Sequence, residues 1–191
     1  GNTGYFTPAV SPYLLGVLAS RVTWFAISRL SQSFGERAGS ERFRLFTQSM
    51  ERLPIPDAPT AEREAIGALA LQITAEAKAR YALHRRARNR IQSDLGAPDR
   101  GLNQRLTAWW ELDFPAFRDE VRKVFKREIA LKERDDWEEW LQNQRERHAA
   151  HTAAIVAGET ELNARVYQLF DLSADEIALI EASTRYQYGE V

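Results

Sequence analysis

The chain has no cysteine, which excludes a disulfide framework and any zinc site built on thiolates. That composition fits a cytoplasmic protein. Long apolar runs are missing too. The longest, residues 13–30, is interrupted by Ser20, Arg21, Ser28 and Arg29, so it is too broken to span a bilayer. The opening GNTGYFTPAV has no basic segment ahead of an apolar one, so it does not read as a signal peptide. The signatures of phosphate loops and serine hydrolases are also lacking. GAPDRG at 96–101 has neither the Lys nor the Ser/Thr of a P-loop, and no G-x-S-x-G occurs.

What is present is apolar content of 44%, enough for a real core in 191 residues, and a hidden charge asymmetry. The net charge is only −1. Residues 1–127 nevertheless carry 20 Lys/Arg against 13 Asp/Glu, and residues 128–191 carry 6 against 14. A split of this kind points to one part facing a polyanion, or simply to two helical faces kept in water.

Periodicity predicts a mainly α fold. Two long helices pack as an antiparallel pair, shorter helices surround them, and a small N-terminal part carries a strand. After a possible-strand pattern at Tyr5–Phe6, Ser11 and Pro12 open a buried helix that runs to Leu30. Residues 31–40 read as a polar loop and 41–46 as a strand. Three prolines in LPIPDAP (53–59) then impose an extended, stiff connector, because each fixes φ and biases the residue before it away from helix. Thr60 caps the first long helix, whose apolar positions recur from Ile66 through Ile91. Residues 93–101 break it. Short helices follow at 102–111 and from LDFPAF to about Phe125. The second long helix is predicted over 128–157, with Gly158 as its stop. Helices at 160–170 and after Ser173, whose SADE is a capping box, complete the chain before the tail RYQYGEV. Two domains are expected: 1–59, with helix, strand and connector, and 60–191, the helical spacer.

Chemistry is harder to find. His148 and His151 are three apart on a helix and could ligate a metal, but they lie in the helix seam and no third ligand is nearby. Asp57 with Glu76 and Lys78 supplies the residue types of a PD-(D/E)xK nuclease, which use two carboxylates and a lysine to hold a metal and orient water. That motif needs a strand, whereas Glu76 and Lys78 fall mid-helix on opposite sides. Trp109, Trp110, Trp137 and Trp140 suit packing better than base stacking. HRRARNR (84–90) carries more. Arg85, Arg86, Arg88 and Arg90 sit at the end of the first long helix, where arginine can fork onto phosphates. Cations also suit a helix C-terminus for its own sake. Arg37, Arg42 and Arg44 form a second basic set around the predicted strand.

Four stretches, in order, resemble a known family. YLLGVLASRVTWFAI (13–27), RFRLF with MERLPIP (42–56), LNARVYQLFDLSADEIALIE (162–181) and the final RYQYGEV are similar to the C-terminal region of large DNA N6-adenine methyltransferases. Type IIG restriction enzymes and BREX-type phage-defence methyltransferases belong there. Ala19 stands where the family usually has Asn, and Phe170–Asp171 where it has Tyr-Gly. The catalytic Asn-Pro-Pro-Tyr and the glycine-bearing cofactor motif occur nowhere in the chain. The resemblance therefore implies a non-catalytic fragment of a bacterial restriction–modification protein: the end of a target-recognition domain and a helical spacer, with no cofactor of its own. S-adenosylmethionine is expected in an upstream methyltransferase domain. Double-stranded DNA and that domain are the implied partners, and no membrane is. By analogy with specificity subunits, the paired helices set a distance between DNA-reading parts. The alternative is a helical docking module for another protein.

Overall fold

The computed structural model describes residues 11–37, 40–97, 99–184 and 186–190. The strand expected at Tyr5–Phe6 lies outside them. The described residues form two compact units. One takes the chain up to Thr74 together with Ile155 onward; the other is Ala75–Ala154. Both are mainly helical.

In the first unit, Ser11 caps α1 (Pro12–Ala19), its side chain accepting from the Leu14 N–H. The helix expected to reach Leu30 is in fact two. Ser20 ends α1 and caps α2 (Arg21–Leu30), with its side chain accepting from Thr23 N–H. Asn163 Oδ1 takes the freed Arg21 N–H at 2.8 Å, so the break is satisfied from outside the helix. The sequence signal for this break was the serine itself, hidden in an apolar run.

The predicted strand exists as β2 (Ser40–Arg44), and it pairs antiparallel with β1 (Gln32–Arg37), which lies in the stretch expected to be loop. Gln32 opposes Arg44 and Ser33 opposes Phe43. The register shifts before Glu36, at Gly35, whose φ of +110° favours glycine. A single turn, α3 (Thr47–Met50), follows. Residues 53–59 then run without regular structure, as their prolines require. The connector is held in place: Tyr13 OH donates to the Pro56 carbonyl, and Arg63 pairs with Asp57 and donates to the Ala58 carbonyl at 2.8 Å.

The long helices are α4 (Thr60–Arg90) and α7 (Arg134–Leu169). They run antiparallel in both units. In the first, Arg165 pairs with Glu62 at 2.7 Å. Gly158 lies against Ile73, where an added Cβ would sit 2.8 Å from Cγ1. The stop expected at this glycine does not occur; α7 passes straight through it. It is there for close approach of the helix pair. The core of this unit gathers Val17, Ile66, Leu162 and Val166 with Tyr13, Val22, Tyr167 and Ile180. Asp171 turns the chain at φ 50°, and Ser173 caps α8 (Ala174–Ser183) with the predicted capping box to Glu176. The tail is fastened rather than loose. Tyr188 OH and Tyr167 OH both donate to Glu181 Oε1, at 2.8 and 2.6 Å, and Arg21 pairs with the same carboxylate. Burial first, then the Glu181 hydrogen bond, pushes the Tyr188 phenol up to about 12.

In the second unit α4 ends in a π turn, Ile91–Leu95, and Gly96. The segment expected as one helix over 102–111 is α5 (Gln104–Thr107) plus a 3-10 turn at Trp109–Glu111. Asp113 caps α6 (Phe114–Phe125), with Pro115 in its first turn. A 3-10 turn, Leu131–Glu133, leads into α7, six residues later than expected because Lys126 and a buried Ile129 hold 126–130 as loop. The core here is aromatic: Trp109, Phe117 and Trp137 with Leu83, Ile91, Leu106, Val121 and Leu141. No helix among the described residues is long and apolar enough to cross a membrane.

Candidate nucleic-acid interface

The basic run occupies the last two turns of α4, inside the second unit. Leu83, Ala87 and Ile91 are its buried face. Helical spacing therefore sends the arginines to different surroundings. Arg88 turns inward. Its Nε donates to the Thr107 carbonyl at 3.0 Å, and its guanidinium lies over Trp110. Arg90 pairs with Asp94 at 3.5 Å and covers Trp137 and Trp140, at 5.0 and 4.8 Å from their ring centres. These two act as lids on the aromatic core. Arg85 and Arg86 are exposed and have no partner among the described residues. The run thus divides into two structural cations and two free ones, a division invisible in the string RRARNR.

The second set is on the hairpin of the first unit. Arg42 and Arg44 are exposed on β2, and both already take part in contacts. Arg37 is the last residue of β1.

Trp109 and Trp137 are core residues at 0% and 7% exposure, so neither can stack a base. Trp110 is half-buried and packed against two histidines: His84 stacks on it at 4.0 Å and 9°, and His148 at 5.0 Å and 18°.

All three histidines of the chain belong to one seam between α4 and α7. His84 Nε2 faces His148 Nδ1 at 2.9 Å, so one ring donates and the other accepts. His151 Nδ1 meets Glu76 Oε2 at 2.7 Å. Arg80, 6% exposed, donates to Thr152 at 3.0 Å. Burial, then the neighbouring His148, then Arg88 and Arg80 push His84 down to about 4. His148 is lowered by burial and by Arg80 and His151. Both rings are therefore neutral near pH 7, and a cation is unwelcome between them. Sequence reading placed His148 and His151 in the seam but missed His84, whose only signal was its position four residues after Arg80.

The residues of the nuclease pattern are engaged elsewhere. Asp57 pairs with Arg63, and Glu76 with His151. No group of three or more His, Asp or Glu able to hold a metal occurs among the described residues. One further basic segment went unremarked in the sequence, VRKVFKR at 121–127, because it spreads its charges through an apolar helix pattern.

Comparison with known proteins gives one match. Residues 59–166 fit the model of a domain of unknown function, DUF8810. The match begins beside α4 and ends in the last turn of α7, so it takes in the helix pair and everything between. No curated protein and no solved structure matches the chain.

Proposed function

We propose that the chain, which belongs to the DUF8810 family of unknown function, is a non-catalytic DNA-recognition and spacer segment of a DNA adenine methyltransferase or restriction–modification protein. The methyl transfer and the S-adenosylmethionine site belong to another domain of the same parent. The helix pair holds the recognition part at a set distance and lays arginine along the DNA backbone. Cytoplasmic DNA is the implied setting.

The observation that carries this reading is the pair Arg85 and Arg86. They stand free on a rigid helix, beside two arginines that the core has claimed. An exposed guanidinium without a carboxylate partner is available to fork onto phosphate. The residue order that resembles the methyltransferase C-terminal region supplies the rest of the support.

A second reading is a docking module for another protein. Leu71 and Tyr81 on α4 favour it, at 54% and 65% exposure. Salt separates the two. Fluorescence anisotropy of a labelled duplex, titrated from low salt to about 0.2 M, should give a log–log slope that flattens by about 0.9 for every phosphate no longer neutralised. Changing Arg85 and Arg86 to Ala should flatten it by about 1.8 if each side chain neutralises one phosphate. Absence of binding at low salt would reject DNA contact and leave the docking module.

A further inference from the structure

We propose that the outer face of α4 in the second unit takes single-stranded DNA, with the Tyr81 ring stacked on an unpaired base between the cations Lys78 and Arg85. The inference rests on the reading above that Arg85 and Arg86 hold phosphates, and it adds a base to that contact.

The state of the ring is the first argument. Tyr81 is 65% exposed in the middle of a long helix. Among the described residues its ring meets no other ring and no guanidinium, and its hydroxyl has no hydrogen-bond partner. No other tyrosine, tryptophan or phenylalanine of this unit is in that state. Trp109, Phe114, Phe117, Phe125 and Trp137 are buried. Trp110 stacks on two histidines, and Arg90 covers Trp140. An open aromatic face on a rigid helix is a platform on which any base can stack. In a duplex the faces of the bases are covered by neighbouring pairs, so the ring suits a strand whose bases are unpaired.

Placement is the second. Helical rise sets Tyr81 about 4.5 Å beyond Lys78 and about 6 Å before Arg85 along the axis. Separations of three and four residues bring the three side chains to one face. Arg80, Leu83, Ala87 and Ile91, all buried, form the opposite one. Lys78 and Arg85 are exposed and have no ion-pair partner among the described residues. The ring is thus flanked along the helix by cations that can hold the phosphates on either side of a stacked base.

Charge balance is the third. In this unit the carboxylates of α4 lie off the outer face and are engaged, Glu76 with His151 and Asp94 with Arg90. The neighbouring elements bring Glu111, next to Trp110, and Glu146 of α7, whose carboxylate takes the Gln142 amide at 2.8 Å. They also bring Arg147, beside the His148 that meets His84. Lys78, Arg85, Arg86 and Arg147 therefore outnumber Glu111 and Glu146. The acidic start of α7, residues 135–139, belongs to the far end of α4. Trp137 lies under Arg90, which is about 13.5 Å along the axis from Tyr81. That exceeds the Debye length of about 8 Å at physiological salt.

The full chain is titrated into labelled oligothymidine of about 20 nucleotides, oligouridine of the same length and a duplex, each over a salt series, with fluorescence anisotropy as the readout. The variants are Y81F, Y81L and R85A/R86A, with helix content checked by circular dichroism. Y81F keeps the ring and should bind as the wild type does. Y81L should weaken binding of oligothymidine by about 5- to 150-fold and leave duplex binding unchanged. R85A/R86A should flatten the single-strand salt slope by about 1.4, at about 0.7 per phosphate. Oligothymidine bound equally well by Y81L and wild type overturns the stacking; if R85A/R86A still flattens the duplex slope, the phosphate reading survives that result. An equal loss on single strand and duplex in Y81L makes Tyr81 a backbone contact and also overturns it. Tighter binding of oligouridine than of oligothymidine overturns the assignment to DNA. No binding of any of the three at low salt overturns both this inference and the reading beneath it.

Discussion

Acid should loosen the second unit before it affects the first. The cause is the histidine seam. His84 is pushed down to about 4 by burial and by His148, Arg88 and Arg80. In an unfolded chain the same ring titrates near 6.5. Between those values the unfolded state binds a proton that the folded state refuses. Stability is therefore fully present above about pH 6.5 and falls as the pH drops toward about 4. At about 1.4 kcal/mol per unit, a gap of this size in a fully enclosed ring would be worth about 3 kcal/mol. His84 is only half-buried, so solvent screening brings the expected loss to about 1–2 kcal/mol. That is a fall in melting temperature of about 2–8 °C in a chain of this length. Thermal unfolding followed by circular dichroism at pH 7.5, 6.5, 5.5 and 4.5 measures it. His84→Gln keeps a hydrogen-bonding side chain but cannot titrate. Its absolute stability is immaterial; what counts is the pH slope, which should flatten between 6.5 and 4.5 relative to wild type. Carboxylates held low, such as Glu120 through Asn103, act at the acid end of this range and lower, and they are common to both proteins. Parallel pH profiles for the two would refute the seam as a proton-sensitive element.

Gly158→Ala should destabilise by about 1 kcal/mol or more, although alanine is the better helix former, because its methyl would meet Ile73. Adding Ile73→Val should recover part of that stability in a urea titration, since the two side chains compete for one space. Ser173→Ala removes the oxygen that accepts from Glu176 N–H and should cost about 1 kcal/mol, seen as a lower urea midpoint with an unchanged m-value.

Much of this fold was legible because local chemistry and long-range packing agree. The 3,4 spacing of Ile66, Ile73, Leu83 and Ile91 predicts α4, and its partner seam predicts the antiparallel pairing. Ser11 with Pro12, and Ser173 with Glu176, open their helices as their chemistry requires. The failures have one character. Ser20 caps α2 from within, but the Arg21 N–H freed at the break is satisfied by Asn163, far along the chain. Gly158 looks like a terminator until Ile73 is seen against it. β1 is polar and glycine-bearing, and it becomes a strand only by pairing with β2. The candidate interface divides the same way. Four arginines in one short run look alike as letters, yet Thr107, Asp94 and the tryptophans decide which two are free. Arg100 and Arg127 are likewise held by the Val124 and Asp94 carbonyls, contacts that no periodicity announces.

The first unit has a keyed joint. Gly16 of α1 admits Ile66, whose Cγ2 would lie 2.6 Å from an added Cβ, while Gly67 of α4 admits Pro12 at 3.1 Å. Each helix is notched where the other protrudes, so a slide of even one turn, about 5.4 Å, would drive side chains into backbone. Alignment of α1 with α4 is thus set by the joint and not by the chain that links them. The intervening hairpin and proline connector can then change length at small entropic cost, since closure grows only with the logarithm of loop length. A part mounted on such a joint can be exchanged while its socket stays true.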